Sequence, residues 1–341
     1  MTALEIRRAD GLMTVQDMGR PGHLAQGLPR GGAMDRLALI EAAALLGAAA
    51  PLAAVEIAGA GGLFGVTSPT RVALTGAPMA ATLDDAPVGW NRSHLLVPGQ
   101  VLRIGGAEAG TYGYLTPAGG IAGPEWLDSR ATHLTIGIGQ TLATGDSLPI
   151  GDDRVPDSPA RRIEAPSRFG GGTVRIAEGP QTGLFDAETL AAFAATGFIR
   201  AARGNRQGVQ LDADRRFTSA LAAGLASDII GPGDVQMTGD GIPYVLLAEC
   251  QTIGGYPRIG TVIPADLPLV AQTPPGGSLR FRLLDTAAAD RLHRSDAALL
   301  REARSRCHRL IRDPATIADL LSYTLISGVT RGDDLDGPLC A

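Results

Sequence analysis

A chain of 341 residues is long for one hydrophobic core and suits two domains; its net charge of −5 argues against nucleic-acid binding. All 30 basic residues are Arg, so the chain itself has no P-loop of the usual kind, no kinase-type strand Lys, no Schiff-base chemistry and no biotin attachment point. Three cysteines without paired spacing (Cys250, Cys307, Cys340) argue against a disulfide framework or zinc site. No apolar run approaches the roughly 18–20 residues of a membrane span, and the N-terminal residues lack the apolar core of a signal peptide. A soluble, cytoplasmic protein is expected.

In chain order, Gln16-Asp17-Met18-Gly19-Arg20-Pro21-Gly22 reads as a loop in which Asp17 and Arg20 either pair with each other or bind a polar substrate. Residues 34–46, rich in Ala and Leu and followed by Gly47, predict a helix. Its start, Gly31-Gly32-Ala33-Met34-Asp35, offers free amides and a helix dipole to an anionic ligand, unless Asp35 itself complements the dipole. Short strand-like runs follow at 55–57, 71–75, 95–97, 101–104 and 112–115, with turns at roughly ten-residue spacing, which favours a sandwich or barrel. Gly59-Ala60-Gly61-Gly62-Leu63-Phe64 follows a strand as a dinucleotide fingerprint would. Phe64 replaces the third Gly, however, and strand-like sequence follows, so that reading is rejected.

Residues 151–173 are dense in Pro, Asp, Arg, Ser and Gly, as a linker should be. Beyond it, Asp186 and Glu188 open a helix over 187–195 closed by Gly197, residues 215–225 show a second helical pattern, and strands resume at 228–230. The apolar run 244–248 ends abruptly at Glu249-Cys250-Gln251-Thr252-Ile253-Gly254-Gly255-Tyr256-Pro257-Arg258. Two glycines there let the backbone take φ > 0 and a ligand approach its amides, while Gln251, Thr252, Tyr256 and Arg258 supply donors; the alternative is a plain tight turn between strands. Cys250 has no His nearby in sequence and reads as a buried inert thiol, and the five His show no ligand spacing, so no metal site is expected. After residue 285 the chain turns helical and Arg-rich, either a cationic face or a solvated helix side. Asp313-Pro314 opens a last short helix and residues 325–329 read as a closing strand.

The two halves repeat. Pro98-Gly99, Gly119-Gly120 and Gly145 recur as Pro232-Gly233, Gly254-Gly255 and Gly276, at offsets of 134, 135 and 131 residues, each Gly pair preceded by an apolar run. This predicts a duplicated β-rich domain.

Several of these segments together carry a resemblance: Thr14-Val15-Gln16-Asp17, Gly19-Arg20-Pro21-Gly22, Gly32-Ala33-Met34-Asp35, Thr75-Gly76-Ala77, Gly119-Gly120, Ser129-Arg130, Gly179-Pro180-Gln181, and above all Gln251-Thr252-Ile253-Gly254-Gly255-Tyr256-Pro257 with Asp266 and Gln272. They resemble the biotin-dependent carboxyltransferase family, which includes the C component of 5-oxoprolinase, KipA and the allophanate hydrolase subunit 2-type half of the urea carboxylase carboxyltransferase domain. The resemblance implies a mainly β chain with a few helices and two tandem cyclophilin-like β-barrel domains. The first would span residues 1–150 and the second 174–285, with 151–173 as linker and 286–341 as a helical extension with a closing strand.

It further implies one component of a hydrolase acting on a cyclic amide. The chain would be the C-like component of an ATP-dependent 5-oxoprolinase (5-oxoproline, ATP and water giving glutamate, ADP and phosphate), working with a B-like partner of the KipI type and an A-like partner. ATP would be handled by Arg, backbone amides, a metal or partner chains. Gln251, Thr252, Gly254 and Gly255 would stabilise charge developing on an amide or ureido oxygen. Gln16, Asp17, Arg20, Asp35, Ser129, Arg130, Asn205, Arg206 and Tyr256 would form the substrate-binding set, with Arg20 or Arg206 holding a carboxylate in fork geometry in a cleft shared by the two barrels.

The alternatives are a carboxyltransferase half using carboxybiotin on a separate carrier with a urea- or amide-type substrate, and a KipA-like regulatory protein that antagonises a kinase inhibitor. Where the family usually reads Asp-Arg-Met-Gly, this chain has Asn205-Arg206-Gln207-Gly208, which replaces a carboxylate by an amide that cannot act as a general base.

Overall fold

The computed structural model describes residues 2–219 and 224–310. The expected mainly β architecture with two tandem barrel-type domains is observed. In the first half, antiparallel strands form two sheets around one core. One sheet runs in the order Ser147–Pro149, Ala3–Ala9, Ala60–Val66, Leu102–Ala107, Met79–Leu83, Ala86–Pro87. The other begins Leu12–Gln16, Ala54–Ala58, Tyr112–Pro117, Thr70–Gly76, Arg92–Leu96. Period-two alternation puts Leu4, Ile6, Met13, Ile57, Phe64, Leu74, Leu102 and Leu115 into the shared interior.

The second half closes into a seven-stranded barrel: Gly171–Ala177, Arg258–Val262, Asp234–Met237, Pro243–Leu246, Gly208–Asp212, Gly197–Gly204, Ser278–Leu284. Closure comes from Ser278–Leu284, which runs parallel to Gly171–Ala177 and antiparallel to Gly197–Gly204. Four rings, Phe193, Phe198, Phe217 and Phe281, fill its core with centroids 4.9–5.7 Å apart. The repeat is visible in the turns: Gly99 and Gly233 adopt matching left-handed φ of 93° and 98° ahead of corresponding strands.

The first helix, α1, spans Arg36–Leu46, with Asp35 as N-cap accepting from the Ala38 amide and Gly47 as left-handed C-cap. It starts later than its composition suggests because the Met34 amide is bonded to Glu56 Oε2 at 2.8 Å. α2, Ala187–Ala195, is capped by Asp186, which accepts from the Thr189 amide, and carries Phe193 into the barrel. A short α3 spans Leu267–Gln272.

Two expectations need correction, and a third, the helical Arg-rich segment, is met. Arg215 to Ser219 is irregular rather than helical, because the Phe217 amide bonds to Gly241 O and its ring joins the aromatic core. Residues 220–223 lie outside the described residues. The expected linker is partly structural: Arg161–Ile163 pairs with Arg92 of the first-domain sheet and with Cys307–Arg309, and Arg168 reaches back to α1. The Arg-rich segment forms α4, Thr286–Leu292, and α5, Asp296–Ser305. Leu300 and Ala303 of α5 pack on the apolar face of α1, and Arg304 and Arg306 bond to the carbonyls of Ala48 and Glu164. Arg291, Arg294, Arg301 and Arg309 face solvent. The helix expected at Asp313-Pro314 and the strand expected at residues 325–329 lie outside the described residues.

Tyr112, Tyr114, Met34 and Leu39 of the first domain share one apolar cluster with Val174, Val235, Leu247 and Val270 of the second. Arg168 braces this junction by binding Asp35 at 2.7 Å and both oxygens of Glu41 at 3.1 and 2.7 Å. Burial raises the Glu41 carboxyl above its ordinary proton affinity, and Arg168 opposes that shift. Replacing Arg168 by Ala leaves two buried carboxylates without their cation and is expected to cost about 3–5 kcal/mol in urea unfolding. With Arg168 gone, the folded state binds the Glu41 proton more tightly than the unfolded chain, so stability falls as pH rises through the carboxyl range. The deficit should therefore be smaller near about pH 5 than near about pH 8. A deficit below about 1 kcal/mol, or one that does not change with pH, would contradict this.

Candidate functional site at the junction of the two domains

Arg206 sits at the tip of the hairpin formed by Gly197–Gly204 and Gly208–Asp212 and is only 6 % exposed. Its Nε donates to Glu249 Oε1 at 2.5 Å, its Nη2 to Gly32 O at 2.6 Å, and its Nη1 to Glu56 Oε1. Glu56 and Glu249 are 3 % and 4 % exposed, so the guanidinium is the counter-charge for one buried carboxylate from each domain. Burial by itself would lower the Arg206 pKa, but Glu56 and Glu249 together raise it, and the group stays charged.

The network continues. Tyr114 donates to Glu56 Oε2 at 2.6 Å and accepts from the Asp35 amide at 2.8 Å; Asp35 Oδ2 accepts from Gln272 at 2.9 Å. Gln272 Oε1 in turn accepts from the Thr111 and Tyr112 amides.

This geometry corrects the expected carboxylate clamp. Both edges of the Arg206 fork are engaged inside the protein, and Arg20, fully buried, donates from Nη2 to Ala131 O and from Nε to Trp126 O, while its Nη1 has no hydrogen-bond partner among the described residues. Asp17 binds the Gly19 amide, Ser129 Oγ and the Arg130 amide at 2.8, 2.7 and 2.6 Å, so it staples the loop, and no hydrogen bond joins it to Arg20. Arg130 pairs with Glu125 and Gly123 O, and Gln16 donates to Thr14 and Thr132 O. Asp35 is a helix cap, and the amides of Gly31, Ala33, Met34 and Asp35 are engaged by Ala248 O, Asp17 O, Glu56 and Tyr114 respectively. Gln16, Asp17, Arg20, Ser129 and Arg130 thus form a packed junction of loops, with His133 beside it.

His133 is buried, its Nδ1 is 3.7 Å from Glu249 Oε2, and neither ring nitrogen has a hydrogen-bond partner. Burial pushes its pKa down, Glu249 opposing.

An open cavity lies beside this junction, lined by second-domain residues only, so it is not the expected cleft shared by the two barrels. About 450 Å³ in volume, it is lined by Arg203, Gly204, Asn205, Gln207, Gly208, Ile230, Gln236, Tyr244, Leu246, Cys250 and Gln251. It brings Asn205 and Gln251 together, whereas Thr252, Gly254, Gly255 and Tyr256 do not line it. Thr252 is buried with its carbonyl on the Ile230 amide, and Tyr256 is 51 % exposed elsewhere on the turn. Arg258 locks the turn by binding Asp228 at 2.5 Å, Asp234 at 3.1 Å and Ile229 O at 2.7 Å. Burial raises the Cys250 thiol to about 12, so it is no thiolate nucleophile.

The glycine pair has a different cause from the one expected. Neither Gly254 nor Gly255 adopts a positive φ. A Cβ on Gly254 would lie 2.8 Å from both Gln236 Nε2 and Ile230 Cδ1, whereas one on Gly255 would meet only Ser227 Oγ, at 3.5 Å. Gly254 makes room for a side chain of the pocket wall.

Sequence reasoning missed Glu56, Tyr114, His133, Arg168 and Gln236. Glu56 had a signal, a lone carboxylate in the apolar strand Ala54–Ala58, which requires a buried cation from elsewhere. Among the described residues no group of three His, Cys, Asp or Glu side chains could hold a metal ion, and no helix is long and apolar enough to cross a membrane.

A two-sheet domain and a closed barrel are thus fused through a buried charge network, with a cavity beside the join. The family model of the carboxyltransferase domain, subdomain A and B, matches residues 26–283, and the chain belongs to that family. It is 35 % identical over 286 residues to the C component of 5-oxoprolinase from Escherichia coli (strain K12), covering 82 % of this chain and 90 % of that one. It is 30 % identical over 295 residues to the corresponding 5-oxoprolinase component of Haemophilus influenzae, covering 85 % and 94 %. The crystal structure of Kluyveromyces lactis urea carboxylase superposes with a TM-score of 0.79 at 25 % identity over 88 % of this chain, which spans only 29 % of that larger protein.

Gly254→Ala is expected to cost about 1–3 kcal/mol in chemical denaturation by pressing on Gln236 and Ile230. Gly255→Ala, with space for its methyl, should stay within about 0.5 kcal/mol of the parent or gain slightly. Equal losses at the two positions would show that backbone conformation, and not packing, dictates the pair.

Proposed function

We propose that this chain is the C-type component of an ATP-dependent 5-oxoprolinase, in which 5-oxoproline, ATP and water give glutamate, ADP and phosphate. The observation that carries the reading is the near end-to-end match to the Escherichia coli 5-oxoprolinase component at 35 % identity, covering 90 % of that protein. The cavity supports it. At about 450 Å³ it suits one small molecule, and four carboxamides, from Asn205, Gln207, Gln236 and Gln251, line it. Such groups can hold and polarise an amide carbonyl.

Among the described residues, no carboxylate and no imidazole lines the cavity. On this reading B-like and A-like partner proteins supply the proton acceptor and handle phosphate, which makes activity a property of the assembly. The fold shared with Kluyveromyces lactis urea carboxylase favours a second reading, carboxyl transfer from carboxybiotin. Because this chain has no Lys, the biotin would have to be carried by another protein.

The test is reconstitution with B-like and A-like proteins of the same source. Glutamate formation from 5-oxoproline should require ATP and all three components, and this chain alone should be inactive. Failure of the complete set to form glutamate above the level seen without this chain would overturn the proposal. A requirement for bicarbonate and a biotinylated carrier would establish the second reading instead.

A further inference from the structure

A second cavity, of about 540 Å³, opens between the two domains, and none of the site residues expected from sequence lines it. Its walls come from the loop before α1 and the first turns of that helix, from residues 263–268 of the second domain, and from α4, α5 and the turn between them. Leu37, Ile40, Ile263, Leu267, Leu292 and Leu299 make the lining largely apolar. The volume is that of a small-molecule site.

The ionisable groups of the wall are unbalanced. Arg30, Arg36 and Arg294 share a single carboxylate, Asp296, with the exposed His293 beside them. Asp296 binds Arg36 Nη2 at 2.9 Å, and Arg294 bonds only to the carbonyls of Arg291 and His293. Arg30 makes no ion pair among the described residues. Its Nε donates to Met18 O at 2.9 Å, which leaves both terminal nitrogens unbonded and open to solvent, as is Nη1 of Arg36. The two guanidiniums act on each other: burial, and after it the charge of Arg30, lowers the proton affinity of Arg36, with Asp296 opposing. An anion placed at both would relieve that repulsion.

The donors narrow which anion. On the α1 side the amides of Gly31, Ala33, Met34 and Asp35 are already bonded, so the open donors there belong to planar guanidinium forks. A carboxylate has two in-plane oxygens that match such a fork. A phosphate would bring a third oxygen and more charge into an apolar lining that offers them no partner.

We infer that this cavity binds a small amphipathic carboxylate, its hydrocarbon part among Leu37, Ile40, Ile263, Leu267 and Leu299 and its carboxylate at the free terminal nitrogens of Arg30 and Arg36. A ligand seated there touches both domains and the C-terminal helices at once, so binding stabilises their junction. The inference does not rest on the 5-oxoprolinase reading, because it concerns a different cavity and a different ligand.

The test is calorimetric titration of the full-length chain with octanoate, and with octanol and octylamine, which keep the hydrocarbon chain and exchange the carboxylate for a neutral or a positive group. Octanoate should bind one to one, at least about tenfold more tightly than either analogue, and should raise the melting temperature. Arg30→Gln and Arg36→Gln should each weaken octanoate about fivefold and leave octanol unchanged. Ala289→Trp, which sets a large ring at a half-buried position of the cavity wall, should abolish octanoate binding in a chain that still unfolds cooperatively.

Equal affinity for octanoate and octanol would overturn the inference, as would parental octanoate binding in Arg30→Gln or in Ala289→Trp. So would a chain that ignores octanoate while its Arg30→Gln variant fails to assemble with the B-like protein; the arginines would then serve a protein interface.

Discussion

A single guanidinium, that of Arg206, lies between Glu56 of the first domain and Glu249 of the second with almost no access to water. Removing three charged groups from solvent is costly, and the cost is offset only while all three keep their geometry. The two domains are thereby held in one relative position. The chain that leaves this triad also builds the cavity: Asn205 and Gln207 flank Arg206, and Cys250 and Gln251 follow Glu249. The cavity wall is therefore tied to the first domain through two backbone connections of one or two residues each.

A second buried cation repeats the device a short distance away. Arg168 serves Asp35 and Glu41, and the two networks meet at Tyr114, which bonds to Glu56 and to the Asp35 amide. Between and around them the apolar cluster of Met34, Leu39, Tyr112, Leu247 and Val270 is continuous across the junction. Hydrophobic contact supplies the area of such an interface, and buried charges fix its register, because a slipped arrangement would strand a carboxylate.

Much of the fold could be read from local pattern. α1 and α2 carried their caps in sequence, the short strands alternated as strands do, and the glycines at 99 and 233 marked turns that the structure repeats. The site was less legible, because its key contacts are between residues far apart in the chain. Glu56 and Arg206 are 150 positions apart, Gly32 and Arg206 174, and Asp35 and Gln272 237. A motif shows that Arg20 and Arg206 matter; it does not show whether a guanidinium faces a ligand or a carboxylate of its own protein. Phe217 illustrates the same limit for secondary structure, since a locally helical pattern gave way to an aromatic core assembled from three separate segments. Gln236 carried no local signal beyond a polar residue inside a fully buried strand, and the need for glycine at 254 shows only once the two segments are packed together.

The measurement that reaches the centre of this account is a double-mutant cycle on Arg206→Met and Glu56→Gln, read by urea unfolding of the full chain. If the guanidinium joins the domains as described, each single change strands a buried group, and the pair together costs less than the sum by at least about 1.5 kcal/mol. Single losses that add to within about 0.5 kcal/mol would mean that the two side chains do not act on each other, and the junction would have to be held by its apolar contacts alone.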